Sequence, residues 1–266
     1  MLFFFPEKDM SERIYQTEYA GRAVRYRFLT PGARAWFGPW AYRVDCEDYD
    51  VFVTPERLQL ARDLLQQDLQ RRGLPDPGYS DQYVEFRTLT ELSSHPLIRT
   101  GCCFFHAACF LWRGKAWLLS GPSGVGKSTQ YLNWQRLHPD EITIICGDMP
   151  VLERRADGSI WAHPSPWNGK ERLGDRHSPA APLGGLVLLE QGTENTIVPT
   201  GAHEAIPSLF RQFILSPDTE EEILELASLM DALLWAVPVW KLTNRGDDAS
   251  TELLRQTLKG GGHDPL

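Results

Sequence analysis

The segment Gly121-Pro122-Ser123-Gly124-Val125-Gly126-Lys127-Ser128-Thr129 has residue types and a spacing suited to gripping a phosphate chain. A glycine, four residues, then Gly-Lys-Ser/Thr is the pattern of a phosphate-binding loop. Its glycines let the backbone curl through positive φ and close on an anion. The curl turns consecutive amide N–H groups inward as a nest for phosphate oxygens. Lys127 reaches the β- and γ-phosphates, and the Ser128 hydroxyl ligates Mg²⁺. The helix that opens at Lys127 adds the positive end of its dipole. A glycine-rich turn can match this pattern by accident. Here the loop follows an apolar strand and opens a helix, as the mechanism demands. The pattern predicts a bound nucleoside triphosphate and does not by itself separate kinase, ATPase and GTPase.

Such a site needs an acid at the end of a neighbouring strand, to hold Mg²⁺ or accept a proton. Asp148, in Cys146-Gly147-Asp148-Met149-Pro150, is the candidate, because it lies just past an apolar strand, where α/β sheets bind ligands. The competing reading is a turn aspartate, since Gly-Asp before Pro is turn chemistry. A transferring phosphoryl group also needs a cation beyond the loop lysine. Lys170, in Pro166-Trp167-Asn168-Gly169-Lys170-Glu171-Arg172, is the first choice, against a plain solvated loop. Trp167 reads as a loop anchor before a substrate platform. His106 stands in the apolar run Cys103 to Ala108 and, taken alone, reads as a packed core histidine.

The elements that must position these groups alternate between strand and helix. Ala116–Ser120 is a short strand, Lys127–Gln135 a helix and Ile142–Cys146 a second strand. Strands follow at Leu186–Glu190, Thr196–Val198 and Val237–Leu242. Helices are expected at His203–Leu215, Thr219–Ala236 and Ser250–Leu258. Continuous apolar strands between helices imply a sheet covered on both faces. The chain divides near residue 95. The part before it reads as strands over Tyr15–Leu29 and Ala41–Val53, then a helix, then a further strand. That helix is capped by Thr54 and Pro55 and carries the stripe Leu58, Ala61, Leu64, Leu65 and Leu69. Residues 74–82 read as a loop, and 260–266 as a flexible tail. Trp134, Trp161, Trp235 and Trp240 read as core. The acidic run Asp218–Glu222 reads as the first turn of a helix.

Composition narrows the function classes. The chain has 266 residues, 42% hydrophobic and 23% charged, with a formal charge of −8. A nucleic-acid backbone or an anionic membrane is disfavoured as partner. No apolar run is long enough to span a bilayer, and Leu2–Phe5 lacks the flanks of a signal peptide. The five cysteines, Cys46, Cys102, Cys103, Cys109 and Cys146, form no CxxC pair and read as free thiols in a reducing cytoplasm.

The order of these motifs resembles the HPr kinase/phosphorylase superfamily, related in fold to the ATP-type phosphoenolpyruvate carboxykinases. His106-Ala107-Ala108, Gly114, the loop Gly121–Thr129, the Gly147-Asp148 strand end and Ser165–Lys170 carry the resemblance, which spans about residues 85–258. Closer still is the similarity to a group of stand-alone bacterial kinase-like proteins, some of which phosphorylate serine in a precursor peptide. The resemblance implies an α/β phosphate-loop core with a mixed sheet over 96–259, after a small α+β region over 1–95. It implies an ATP- and Mg²⁺-dependent kinase acting on a hydroxyl of a peptide, protein or small molecule. Lys127 and Ser128 match the family's phosphate and Mg²⁺ residues, and His106 matches a histidine lining its active site. Asp148 falls where the family carries two adjacent aspartates, with Gly147 in the first place. One carboxylate must then be base or metal ligand, or a water must share the work. This departure favours the alternative of a nucleotide-binding regulatory module without transfer. A plain NTPase or switch is a third reading, although neither N-K-x-D nor an apolar run ending in Asp-Glu is present. Residues 1–95 are left to acceptor recognition or to contact between copies.

Overall fold

The computed structural model describes residues 14–31, 37–41 and 47–260. Cys46, the Leu2–Phe5 segment and the tail beyond Gly260 lie outside them. The chain forms two compact units, Met1–Pro96 and Leu97–Leu266.

In the first unit, β1 (Ile14–Tyr19) and β2 (Arg22–Arg27) make an antiparallel hairpin, and β3 (Tyr49–Phe52) lies parallel to β2. Helix α1 (Pro55–Arg71) starts at Thr54, whose hydroxyl accepts the Arg57 N–H at 3.2 Å. Its apolar stripe is only partly covered: Leu69 is buried, whereas Leu64 is exposed.

The further strand expected after residue 82 is instead a helix, α2 (Asp81–Ile98). Val84, Phe86, Thr88 and Thr90 alternate as in a strand. The hydroxyls of Thr88, Thr90, Ser93 and Ser94 instead donate to carbonyls four residues back, at 2.6–3.1 Å. Buried Glu85 accepts the Thr30 N–H at 2.9 Å and the Thr30 hydroxyl at 2.5 Å. Polar groups satisfied inside the fold therefore hide the helical period.

The second unit is built on a nine-stranded mixed sheet. Its centre is parallel: β6 (Lys115–Ser120), β10 (Ala181–Gln191) and β12 (Val239–Asn244) run side by side. On one side β5 (Ala107–Trp112) pairs antiparallel with β6, and β7 (Thr143–Cys146) antiparallel with β5. β11 (Thr196–Pro199) pairs antiparallel with β12. The first residues of β10 pair with β9 (Ile160–His163), which continues through β8 (Val151–Arg154) to β4 (Cys102–Phe104). Strand alternation divides the core between the two faces. Leu118, Leu186 and Leu188 join one cluster with Leu209 of α4 (Ala202–Phe210) and Leu229 of α5 (Glu220–Ala236). Leu119, Val187 and Leu189 join the other, with Trp134 of α3 (Lys127–Leu137) and Leu254 of α6 (Asp248–Gly260). The expected α/β core with a mixed sheet, covered on both faces, is thus present.

Helix α4 is shorter than the expected 203–215, because the chain after it pairs with the β4–β5 connection. Phe213 bridges Phe105, and the Ile214 N–H donates to the Phe104 carbonyl at 3.0 Å. Of the four tryptophans read as core, Trp134 and Trp240 are buried and Trp161 is half-buried beneath Arg155. Trp235, on the outer side of α5, is 71% exposed. Cys102, Cys103, Cys109 and Cys146 are buried. No helix among the described residues is long and apolar enough to cross a membrane.

Candidate nucleotide site

β6 ends at Ser120, and α3 begins at Lys127, so the glycine-rich segment is a strand-to-helix turn. Gly124 and Gly126 take positive φ, 80° and 106°, which L side chains rarely adopt. Gly126 caps α3, leaving the first amides of the helix without intrahelical acceptors and directed at the loop. Lys127 is buried, and its Nζ donates to the carbonyls of Gly121 at 2.9 Å and Pro122 at 3.2 Å. Burial pushes the Lys127 ammonium below its ordinary pKa, and the nearby Asp148 carboxylate opposes that shift.

Asp148 reaches this position because β7 pairs with β5. The Ala107 N–H donates to the Asp148 carbonyl at 2.8 Å, and the Ser120 hydroxyl donates to the His106 carbonyl at 2.8 Å. The two side chains meet: His106 Nε2 lies 3.3 Å from Asp148 Oδ1. His106 Nδ1 contacts Gln212 Oε1 at 3.1 Å, while the Gln212 amide nitrogen donates to the Ser208 carbonyl at 3.3 Å. That donation fixes Oε1 as the atom facing His106. It makes His106 Nδ1 the N–H donor and leaves Nε2 toward Asp148.

The segment after β9 folds across the end of β7. The Gly147 N–H donates to the Leu173 carbonyl at 2.9 Å, and the Met149 N–H to the Trp167 carbonyl at 3.0 Å. Trp167 is buried edge-on to Phe104, 6.5 Å between ring centres, and so anchors the loop. Lys170 is exposed on the turn that follows. Among the described residues it makes no hydrogen bond or ion pair.

Its neighbour Glu171, which the sequence reading passed over, comes close to Asp148. A Cβ on Gly169 would lie 3.6 Å from Glu171 Oε2 and 3.7 Å from Asp148 Cγ. The two carboxylates therefore flank one glycine. Two neighbouring carboxylates are oxygen donors of the kind suited to Mg²⁺, which takes one or two carboxylates and completes its shell with phosphate oxygens and water. Among the described residues no three His, Cys, Asp or Glu side chains gather into a cage that would hold a metal without a phosphate.

Behind the loop lies a buried polar network. Gln130 Nε2 donates to Ser250 Oγ at 2.7 Å and to Asn244 Oδ1 at 3.3 Å, and Thr251 Oγ1 donates to Gln130 Oε1 at 3.0 Å. Asn244 Nδ2 donates to the Glu190 carbonyl at 2.9 Å. These bonds tie the first turn of α3 to the ends of β10 and β12 and to the start of α6. A cavity of about 280 Å³ opens beside the loop, between Pro122, Val125, Leu189, Glu190 and Gln191.

The sequence matches no family profile and no curated protein. Among solved structures, the chain is similar to the Hpr(Ser) kinase/phosphatase from Coxiella burnetii, at 11% identity over 59% of this chain and 99% of that one, with a TM-score of 0.33.

Proposed function

We propose that the chain is an ATP-dependent kinase that passes the γ-phosphoryl group to a hydroxyl, that of a serine in a peptide or protein or of a small molecule. The observation that carries this reading is the glycine-rich strand-to-helix turn, with buried Lys127 opening its helix, beside a strand end at which Asp148 meets His106. A loop that cradles phosphates and a nearby acid are the two parts that phosphoryl transfer needs.

In this reading the amides of Gly121–Thr129 hold the β- and γ-phosphates, and the cavity beside Leu189 and Gln191 receives the nucleoside. Asp148 accepts the proton of the acceptor hydroxyl as that oxygen bonds to the γ-phosphorus. The bond from the γ-phosphorus to the β,γ-bridging oxygen breaks, and ADP leaves. His106, oriented by Gln212, lies beside Asp148. Lys127 neutralises the equatorial oxygens, and Lys170 is the candidate second cation. Ser128 and Glu171 would hold Mg²⁺, which when bound offsets the charge of the phosphate oxygens. Glu171 matters because it supplies a second acid where Gly147 supplies none. One carboxylate is then available for the proton and another for the metal. Residues 1–95 are assigned to acceptor recognition or to contact between copies.

The test is incubation of the protein with γ-labelled ATP, Mg²⁺ and lysate of the source organism. Label on a peptide, protein or small molecule supports the reading. Tight Mg-ATP binding with no labelled acceptor favours a regulatory nucleotide-binding module instead.

A further inference from the structure

The glycine-rich turn leans on the end of β10 at two points. At Gly121 the contact is steric: a Cβ there would lie 2.8 Å from the Leu189 carbonyl oxygen. At Gly124 it is a hydrogen bond: Gln191 Nε2 donates to the Gly124 carbonyl at 3.0 Å. Gln191 is itself fixed as the last residue of β10, opposite Asn244 of β12. The first contact excludes a side chain. The second selects the orientation of a peptide plane.

That plane joins Gly124 to Val125. In a trans peptide the carbonyl and the N–H that follows it point opposite ways. Gln191 draws the Gly124 carbonyl toward the end of β10, so the Val125 N–H is turned to the other side. There it reaches the Pro122 carbonyl at 3.3 Å, long for a backbone bond. Lys127 Nζ donates to the same carbonyl at 3.2 Å. The Val125 amide and the Lys127 ammonium therefore converge on one acceptor. A phosphate oxygen carries charge and accepts more strongly than a carbonyl, so it can replace Pro122 for both donors. Gly124, at φ 80°, has no side chain to resist rotation of the plane after it. Rotation would take the Val125 N–H away from the phosphate and aim the Gly124 carbonyl at it.

We propose that Gln191 is a positioning residue of the phosphate loop, its amide holding the Gly124–Val125 peptide plane with the N–H toward the phosphates. The inference rests on the nucleotide reading above and adds to it a residue, outside the loop, that sets the loop's grip.

The probes are Mg-tripolyphosphate, which has no nucleoside, and Mg-ATP, each titrated calorimetrically into the full chain. Gln191→Met keeps the side-chain length and removes the donor. Gln191 is exposed, so the melting temperature of the ligand-free protein should stay within about 2 °C. Both probes should bind at least threefold more weakly, up to about tenfold, the range that one hydrogen bond commands. Gln191→Asn, with the amide on a shorter stem, should recover part of the loss. In ¹⁵N-valine-labelled chain, the Val125 amide proton should move downfield when tripolyphosphate binds wild type, and move less in Gln191→Met. A residue that only supports the fold would not change that signature. If Gln191→Met binds both probes within threefold of wild type, or loses affinity for Mg-ATP alone, the inference falls while the nucleotide reading stands. If wild type binds neither probe, both fall.

Discussion

A Cβ on Gly147 would stand 2.7 Å from the carbonyl oxygen of Asn168, closer than real Cβ atoms approach backbone. The Asn168 segment is pinned there by the Gly147 N–H bond to Leu173 and by the Asn168 side chain, which donates to the Gly174 carbonyl at 2.9 Å. Glycine at 147 is therefore a steric requirement of this loop, and the strand end has room for one acid, Asp148. Gly147→Ala should destabilise the protein by about 1–3 kcal/mol, the usual cost of forcing atoms into a packed site. Gly147→Asp should cost more and lower activity instead of restoring a paired-acid site. Thermal unfolding of the two variants checks this; an unchanged melting temperature for Gly147→Asp would show that the loop yields.

Asp148 and Glu171 should separate by function. Asp148→Asn should abolish transfer to the acceptor and leave metal-free nucleotide affinity within about threefold, because the amide keeps the volume and loses the base. Glu171→Gln should raise the Mg²⁺ concentration needed for half-maximal activity. Steady-state rates over a Mg²⁺ series distinguish the two, and normal turnover by Asp148→Asn would remove it from the mechanism.

The strand-to-helix turn at Gly121–Thr129 was legible because its pattern is local: nine consecutive residues carry the glycines, the lysine and the helix start. Asp148 was legible for the same reason, as a strand-end acid. Gln212 and Gln130 were not. Gln212 meets His106 only because the chain after α4 returns to pair with the β4–β5 connection, 106 residues away in sequence. Gln130 finds Ser250 across 120 residues. Glu171 did leave a trace, a carboxylate in an otherwise cationic loop, but its neighbour Lys170 drew the attention. The exposed Trp235 and the helical α2 show the opposite error. There a local pattern suggested burial or a strand, and tertiary packing decided otherwise.

The network behind the loop makes a prediction of its own. Gln130→Leu would leave Asn244, Ser250 and Thr251 with unmet partners in a buried site, at a cost of about 1–3 kcal/mol. That corresponds to a fall in melting temperature of about 2–4 °C per kcal/mol for a domain of this size. Because the same bonds hold the first turn of α3, nucleotide affinity should fall with it. Differential scanning calorimetry and a nucleotide titration on one preparation test the pairing, and a destabilised variant with full affinity would uncouple the network from the loop.

Acid should loosen α6 first. The Arg255 guanidinium, bonded to both oxygens of Glu141 at 2.7 and 2.8 Å, holds that carboxyl at a pKa of about 2. At the helix start, the Ser250 N–H and Asn195 hold Asp247 at about 2 as well. Folded values below unfolded ones, about 4 for these acids, mean stability that is present above pH 4 and lost as the pH falls toward 2. Glu141→Gln should therefore be less stable than wild type at pH 7, and the gap should close between pH 4.5 and 2. Urea unfolding followed by circular dichroism at several pH values measures it. A gap that does not change with pH would show that the ion pair contributes nothing through ionisation.

The central claim is that the turn from Gly121 to Thr129 grips the phosphates of a nucleotide. Isothermal titration of Mg-ATP into the wild-type chain and into Lys127→Ala tests it directly. The account predicts saturable one-to-one binding to wild type and at least tenfold weaker binding to the variant. Absent binding to wild type, or equal affinity for both proteins, would contradict it.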